Sequence, residues 1–231
     1  MHSNSYTIIF TSIVTIILGF FLSVLAGSLK ATQKENIDND IKKNILVSLG
    51  YKPADNNPWT SAYIQELFDN NIDAFVMDKN GKRTLQDPKS IDTEKDIENL
   101  PIYVNIIDGQ IDGYSIPISG KGLWSTLLGY FAIEPDGSTA KGITFYSHKE
   151  TPGLGGEVDK AWFQNNFIGK KFINENGELV GIKIRKGKAD PNSLYEVDGI
   201  SGATVTSKGL ETFLLDDLKK YDSFFKKIRE E

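Results

Sequence analysis

Cysteine is missing from all 231 residues. The chain can therefore form no disulfide, hold no thiolate-bound iron–sulfur cluster and use no cysteine nucleophile. Histidine is nearly as scarce, with only His2 and His148, too few for a His-based metal site or an ordinary zinc centre. There is no basic excess either: a net charge of −5 and a pI near 5.2 argue against a nucleic-acid partner. No dinucleotide fingerprint and no phosphate loop with a Lys-Ser/Thr ending occurs, which disfavours nucleotide folds of those kinds. No metal site is expected, and any redox or group-transfer chemistry has to rest on a cofactor, on hydroxyls or on carboxylates.

Charge is absent from Ile8 through Leu29. As a helix this run spans roughly 33 Å, against a hydrocarbon core of about 30 Å. The residues ahead of it, MHSNSYT, contain no Lys or Arg, so the basic region of a cleaved signal peptide is lacking despite small residues at Ala26 and Ser28. The segment reads as an uncleaved membrane anchor, residues 1–30 with a span at 8–29, followed by one domain at 31–231. Lipoprotein anchoring is excluded by the missing cysteine. Lys30, Lys34, Lys42 and Lys43 follow the span and lean toward a cytoplasmic domain, a lean that large translocated domains override.

Beyond the span, Ile37, Ile41, Ile45, Leu46 and Leu49 recur at helical spacing up to Gly50, which predicts a short amphipathic helix. A second helix is expected over Trp59–Asn71, then a short strand over Ala74–Met77 and a turn at Lys79-Asn80-Gly81. The charged stretch Asp87–Asn99 reads as a surface loop. Period-two patterns then predict two hairpins: IYVNII with IDGYSIPI about Asp108-Gly109, and STLLGYFAI with KGITFYSH about Pro135-Asp136-Gly137. A short helix at Asp159–Phe167, a strand in LVGIKIRKG and a long amphipathic helix over Leu210–Ile228 complete the pattern. Grouped strands with helices around them make an α+β fold: one transmembrane helix, then one mixed α/β domain with antiparallel hairpins.

Three stretches break these local rules: SGKGLWS (Ser119–Ser125), HKETPGLGGE (His148–Glu157) and DGISGATVTSKG (Asp198–Gly209). Each sets glycines beside residues that stack or hydrogen-bond, as close approach to a flat phosphorylated ligand requires. The bland readings are turns, a core tryptophan and a helix N-cap. Asp198-Gly199-Ile200-Ser201-Gly202-Ala203-Thr204 matches the flavinylation pattern Asp-x-x-Ser/Thr-Gly-Ala-Thr of FMN-binding domains. Together with GKGLWSTLLGYFAIEPDG, KETPGLGGEVDKAWF and the N-terminal span, it makes the chain resemble the C subunits of bacterial sodium-translocating NADH:quinone reductases over nearly its whole length. The G subunit of the related Rnf-type complex shares the threonine motif and a TPGLG-like loop, and the GLWS stretch favours the quinone reductase. A membrane-anchored adaptor without a redox role is the alternative from another class.

The resemblance implies one FMN esterified through its phosphate to Thr204, attached by a separate flavin transferase using FAD. It implies that Gly202 and Ala203 are small so that the transferase can reach the hydroxyl. Asp198 is expected to serve as a recognition element or as a metal ligand offered in trans, and Ser201 completes the motif. Leu123 and Trp124 offer apolar surface to the flavin ring, and Glu150, Thr151, Leu154 and Gly155 offer contacts at a bend set by Pro152. Thr206 and Ser207 are expected to cap the last helix or to bond phosphate oxygens. Glu157, Lys149 and Lys208 are candidates for tuning the flavin, and His148 is expected at a solvent-facing strand end. The family role is that of an electron carrier with no complete active site of its own, working beside A, B, D, E and F type subunits in the bacterial inner membrane. The family's flavin domain is extracytoplasmic. Sodium transport is not expected in this chain, because its span carries no carboxylate.

Overall fold

A computed structural model of the protein describes residues 3–53, 58–79 and 81–230. Helix α1 runs Asn4–Ser48 without a break where two helices were expected, because no Pro or Gly interrupts residues 28–48. Its best 18-residue window has a mean hydropathy of 2.6 and is unburied, so it is long and apolar enough to cross a membrane. The chain divides into two compact units, Met1–Asp40 and Ile41–Glu231.

In the second unit, α2 (Ser61–Asn71) starts at Thr60, whose hydroxyl accepts from the Tyr63 N–H at 3.3 Å. Strand β1 (Ile72–Asp78) follows directly. Of the predicted turn at Lys79–Gly81, Asn80 lies outside the described residues. After the two-residue β2 (Arg83–Thr84), the charged stretch folds as a loop with one 3₁₀ turn at Pro88–Ser90. Both expected hairpins are present as β3 (Asn99–Ile107) with β4 (Gln110–Lys121), and β5 (Thr126–Ile133) with β6 (Ala140–Ser147). They join one antiparallel sheet in the order β2-β1-β3-β4-β5-β6. Ser119 and Lys121 of the first glycine-rich stretch therefore lie in β4, and only residues 122–125 form a turn.

Alternation along the strands sends side chains to two cores. One face carries Tyr103, Tyr130 and Ala132 against Ile45, Leu46, Leu49, Ile64 and Phe68 from the end of α1 and from α2. The other carries Ile102, Ile116, Phe131 and Ile143 against the C-terminal helices and Phe163, Phe167 and Phe172. The helix expected at Asp159–Phe167 forms as α3 (Ala161–Gln164) between 3₁₀ turns at Gly155–Asp159 and Asn165–Phe167.

Two corrections affect the far end. Of LVGIKIRKG only β7 (Lys183–Ile184) is a strand, paired in parallel with β8 (Glu196–Val197), while Leu179 makes an isolated antiparallel bridge to Ile173. The backbone between them bonds elsewhere, with the Val180 and Gly181 N–H groups donating to the Phe172 carbonyl, and within β7 the Ile184 N–H donates to the Glu211 carboxylate. The C-terminal amphipathic segment is two helices, α4 (Thr204–Lys220) and α5 (Asp222–Glu230), separated at Tyr221 with φ −96° and ψ 7°. Tyr221 stays in the core and donates its hydroxyl to the Pro101 carbonyl, so the bend keeps both helices on the sheet.

Candidate flavin site at the start of helix α4

The first turn of α4 carries the hydroxyl-rich stretch. Its N-cap is Ala203, which has no side-chain acceptor, so the N–H groups of Thr204, Val205 and Thr206 precede the first helical bond, Ser207 N–H to the Ala203 carbonyl at 3.0 Å. Neither expected cap is one. The Thr206 hydroxyl donates to Glu150 Oε2 at 2.7 Å, and the buried Ser207 Oγ has no hydrogen-bond partner among the described residues. Thr204 itself is exposed. Just before it, Gly202 has φ +73°, and a Cβ there would come within 2.7 Å of Leu154 Cδ2. The bend of the 150–157 loop is thus laid over the turn that presents Thr204.

Glu150 joins three pieces of chain. It is 5% exposed, and besides the Thr206 hydroxyl its carboxylate accepts from the N–H groups of Leu123 (3.3 Å), Trp124 (2.8 Å) and Ser125 (3.1 Å). Burial alone raises its pKa, but the Trp124 N–H, the Thr206 hydroxyl and the other two N–H groups outweigh it and hold the carboxyl below its usual range. Glu150 therefore stands as a fully used anion between the β4–β5 turn and α4. Gly155 fits over this junction, since a Cβ there would lie 2.6 Å from both Glu150 Oε2 and Thr206 Oγ1.

Three hollows surround this junction. A small cleft of about 180 Å³ brings together Leu123, Trp124, Glu150, Thr151, Leu154, Gly155 and Thr206, together with Gly202 and Ala203. Beside it, a cavity of about 910 Å³ is lined by Asp198, Ser201, Gly202 and Thr204, and also by Gly153, Trp162 and Lys186. A third, about 600 Å³, runs along α4 from Thr204 to Asp216. Trp124 is 69% exposed rather than core, and Leu123 is half exposed. Asp198 faces Lys188 (2.6 Å) and the Ala189 N–H (2.9 Å), and these bonds, Lys188 first, lower its pKa. His148 departs from its expected solvent-facing position. Its side chain is 15% exposed, Nε2 lies 3.6 Å from Asp159, and Nδ1 accepts from the Glu150 N–H. Lys186 and Trp162 were missed as site residues because both lie in segments whose pattern suggested only a strand end and a helix.

Comparison with known proteins narrows the identity. Residues 122–218 match the model of the FMN-binding domain. Over 252 aligned positions the chain is 34% identical to the C subunit of the Na(+)-translocating NADH-quinone reductase of Yersinia pestis, covering 95% of this chain and 92% of that one. The corresponding C subunit of Pseudomonas aeruginosa is also 34% identical, across 99% of this chain and 97% of its own. The chain belongs to this C-subunit family. A crystal structure of the family member from Parabacteroides distasonis matches with a TM-score of 0.76 at 34% identity, covering 85% of this chain and 96% of that one. A second, from Shewanella oneidensis, shares the fold at a TM-score of 0.72 and 23% identity. The FMN-binding match runs from the β4–β5 turn through α4 and so encloses Glu150, the 150–157 loop and Thr204.

Proposed function

We propose that the chain carries electrons within a sodium-translocating NADH-quinone reductase, on one FMN held through its phosphate by the Thr204 hydroxyl. The observation that carries this reading is the position of Thr204: exposed, first in a 17-residue helix, and bordering a cavity of about 910 Å³. That volume lies within the range of about 300–1,000 Å³ found for ligand sites. The residues fit a phosphorylated flavin. Three leading N–H groups of α4 lack helical partners, and the helix dipole favours a negative phosphodiester there. Leu123, Trp124 and Leu154 supply exposed apolar surface beside the motif, and Lys186 supplies a cation. Bound FMN supplies reversible electron transfer, for which this chain has no other group.

The remaining roles follow from the same reading. Ser201, Gly202 and Ala203 give a flavin transferase access to the hydroxyl, with Asp198 as its recognition element. Thr206 and Glu150 act by holding the turn and α4 together, because the Glu150 carboxylate already accepts four hydrogen bonds and the Thr206 hydroxyl donates its one hydrogen to it. Helix α1 anchors the chain in the bacterial inner membrane among the other subunits, with the flavin domain on the extracytoplasmic side.

The test is the intact mass of the full chain, produced with a flavin transferase, as the native protein and as Thr204→Val. A gain equal to FMN less one water is expected in the native chain and not in the variant. Two masses matching the bare polypeptide would refute the attachment.

A further inference from the structure

The two larger hollows share Thr204 and no other lining residue. One is walled by the 198–202 turn, Lys186–Lys188, Gly153 and Trp162. The other is a groove formed by Val205, Lys208, Gly209, Thr212 and Phe213 of α4 and by Lys121-Gly122 at the end of β4. These α4 positions recur at three- and four-residue spacing and so form one helix face. The groove exists because α4 presses onto β4 through a glycine: a Cβ on Gly209 would lie 2.3 Å from the Lys121 carbonyl. At its head, beside Thr204, Val205 leaves an apolar side chain 57% exposed.

From this arrangement we infer that the groove is a second seat for the ring system of the flavin tethered at Thr204. The inference rests on the covalent reading above and goes beyond it. A group fixed at Thr204 stands at the rim of both hollows, and the ribityl chain between phosphate and ring turns freely about its sp³ bonds. At about 910 and 600 Å³, each hollow falls within the range of about 300–1,000 Å³ typical of ligand sites. Each also offers one exposed lysine with no ion-pair partner among the described residues, Lys186 in the first and Lys121 in the second. In the first seat the ring lies beside Trp162 and the 198–202 turn, and in the second it lies along α4. One attachment point thereby presents the ring in two directions.

The test uses the full chain in detergent, loaded by the transferase and checked by mass, with flavin fluorescence decay as the readout. Indole quenches flavin emission only near contact. Thr212→Trp places an indole in the groove at an exposed position, and Ser223→Trp places one at an exposed position of α5 that lines neither hollow. With two seats, Thr212→Trp loses emission and gains a fast decay component, while Ser223→Trp decays as the native chain does. A loaded Thr212→Trp protein with native decay overturns the inference. So does equal quenching in both variants. Should Thr212→Trp fail to fold, Val205→Glu decides: blocking the groove shifts the ring toward Trp162 and removes part of the slow component, and an unchanged decay overturns the second seat. A native chain with no FMN mass gain defeats the covalent reading itself, which is a separate result.

Discussion

Helix α4 is fastened by a buried carboxylate near each end, and the two carboxylates are unlike. At the first turn Glu150 receives three backbone N–H groups and the Thr206 hydroxyl, which together hold its pKa down. About three turns later, Asp217 is equally buried but accepts only the Ser119 N–H (2.7 Å) and Lys220 Nζ (2.7 Å). There burial prevails over both bonds, and the Asp217 pKa is raised. The two side chains are alike in surface exposure, but Asp217 lies deeper among protein atoms and receives fewer donors, and these two differences together decide the sign. The richly bonded anion lies where the helix presents Thr204, and the poorly bonded one lies where the helix only packs on β4.

The comparison can be broken most sharply at Glu150. Glu150→Ala strands three N–H groups and a buried hydroxyl, and is expected to cost about 2–3 kcal/mol in denaturant unfolding. It should also speed hydrogen exchange at residues 122–125 and in the first turn of α4. A loss no greater than that of Asp217→Ala would contradict the difference drawn here. Thr206→Val removes one of the four donors and leaves the shape, so about 1 kcal/mol is expected. Combined with Glu150→Ala, its effect should be less than additive, because both changes remove the same bond.

Titration sharpens the contrast through opposite signs. The lowered pKa of Glu150 means that its stabilisation is present above the unfolded-state range and is lost as pH falls through the folded value. The melting-temperature gap between native chain and Glu150→Gln should therefore narrow in acid. Asp217, with a raised pKa, contributes fully below its unfolded value and loses that contribution as pH rises through the folded one. The native chain should gain on Asp217→Asn as pH falls. Near neutrality Asp217→Asn is expected to change stability least, within about 1 kcal/mol, because Asn still accepts from Ser119 while the buried charge disappears. Parallel curves for the two variants would remove the distinction between the ends of α4.

Much of the fold was legible along the chain. The uncharged run at Ile8–Leu29, the two hairpins about Asp108-Gly109 and Pro135-Asp136-Gly137, and the apolar face of Leu210, Leu214, Leu218 and Tyr221 all follow from patterns a few residues long. The continuity of α1 was open to reading in the lack of Pro or Gly over residues 28–48, but the break at Tyr221 was not legible, because it depends on a core position reached by bending. At the site, the sequence marked Thr204, offered Glu150 as a ligand contact and offered Thr206 as a helix cap or a phosphate contact. The protein partners they have in the structure, 26 and 56 positions away in the chain, at Trp124 and at one another, were not legible.

By itself, then, the sequence determined the long apolar N-terminal helix, the strand pairing within hairpins and the hydroxyl that heads α4. These rest on hydropathy, alternation and turn chemistry, which act between neighbours. Only the tertiary structure decided that Glu150 is spent inside the protein, that Lys186 and Trp162 face Thr204 across a cavity, and that a second groove opens along α4. Hydrogen-bond partners and empty space are properties of surfaces brought together by folding, and no short stretch of chain carries both sides of such a contact.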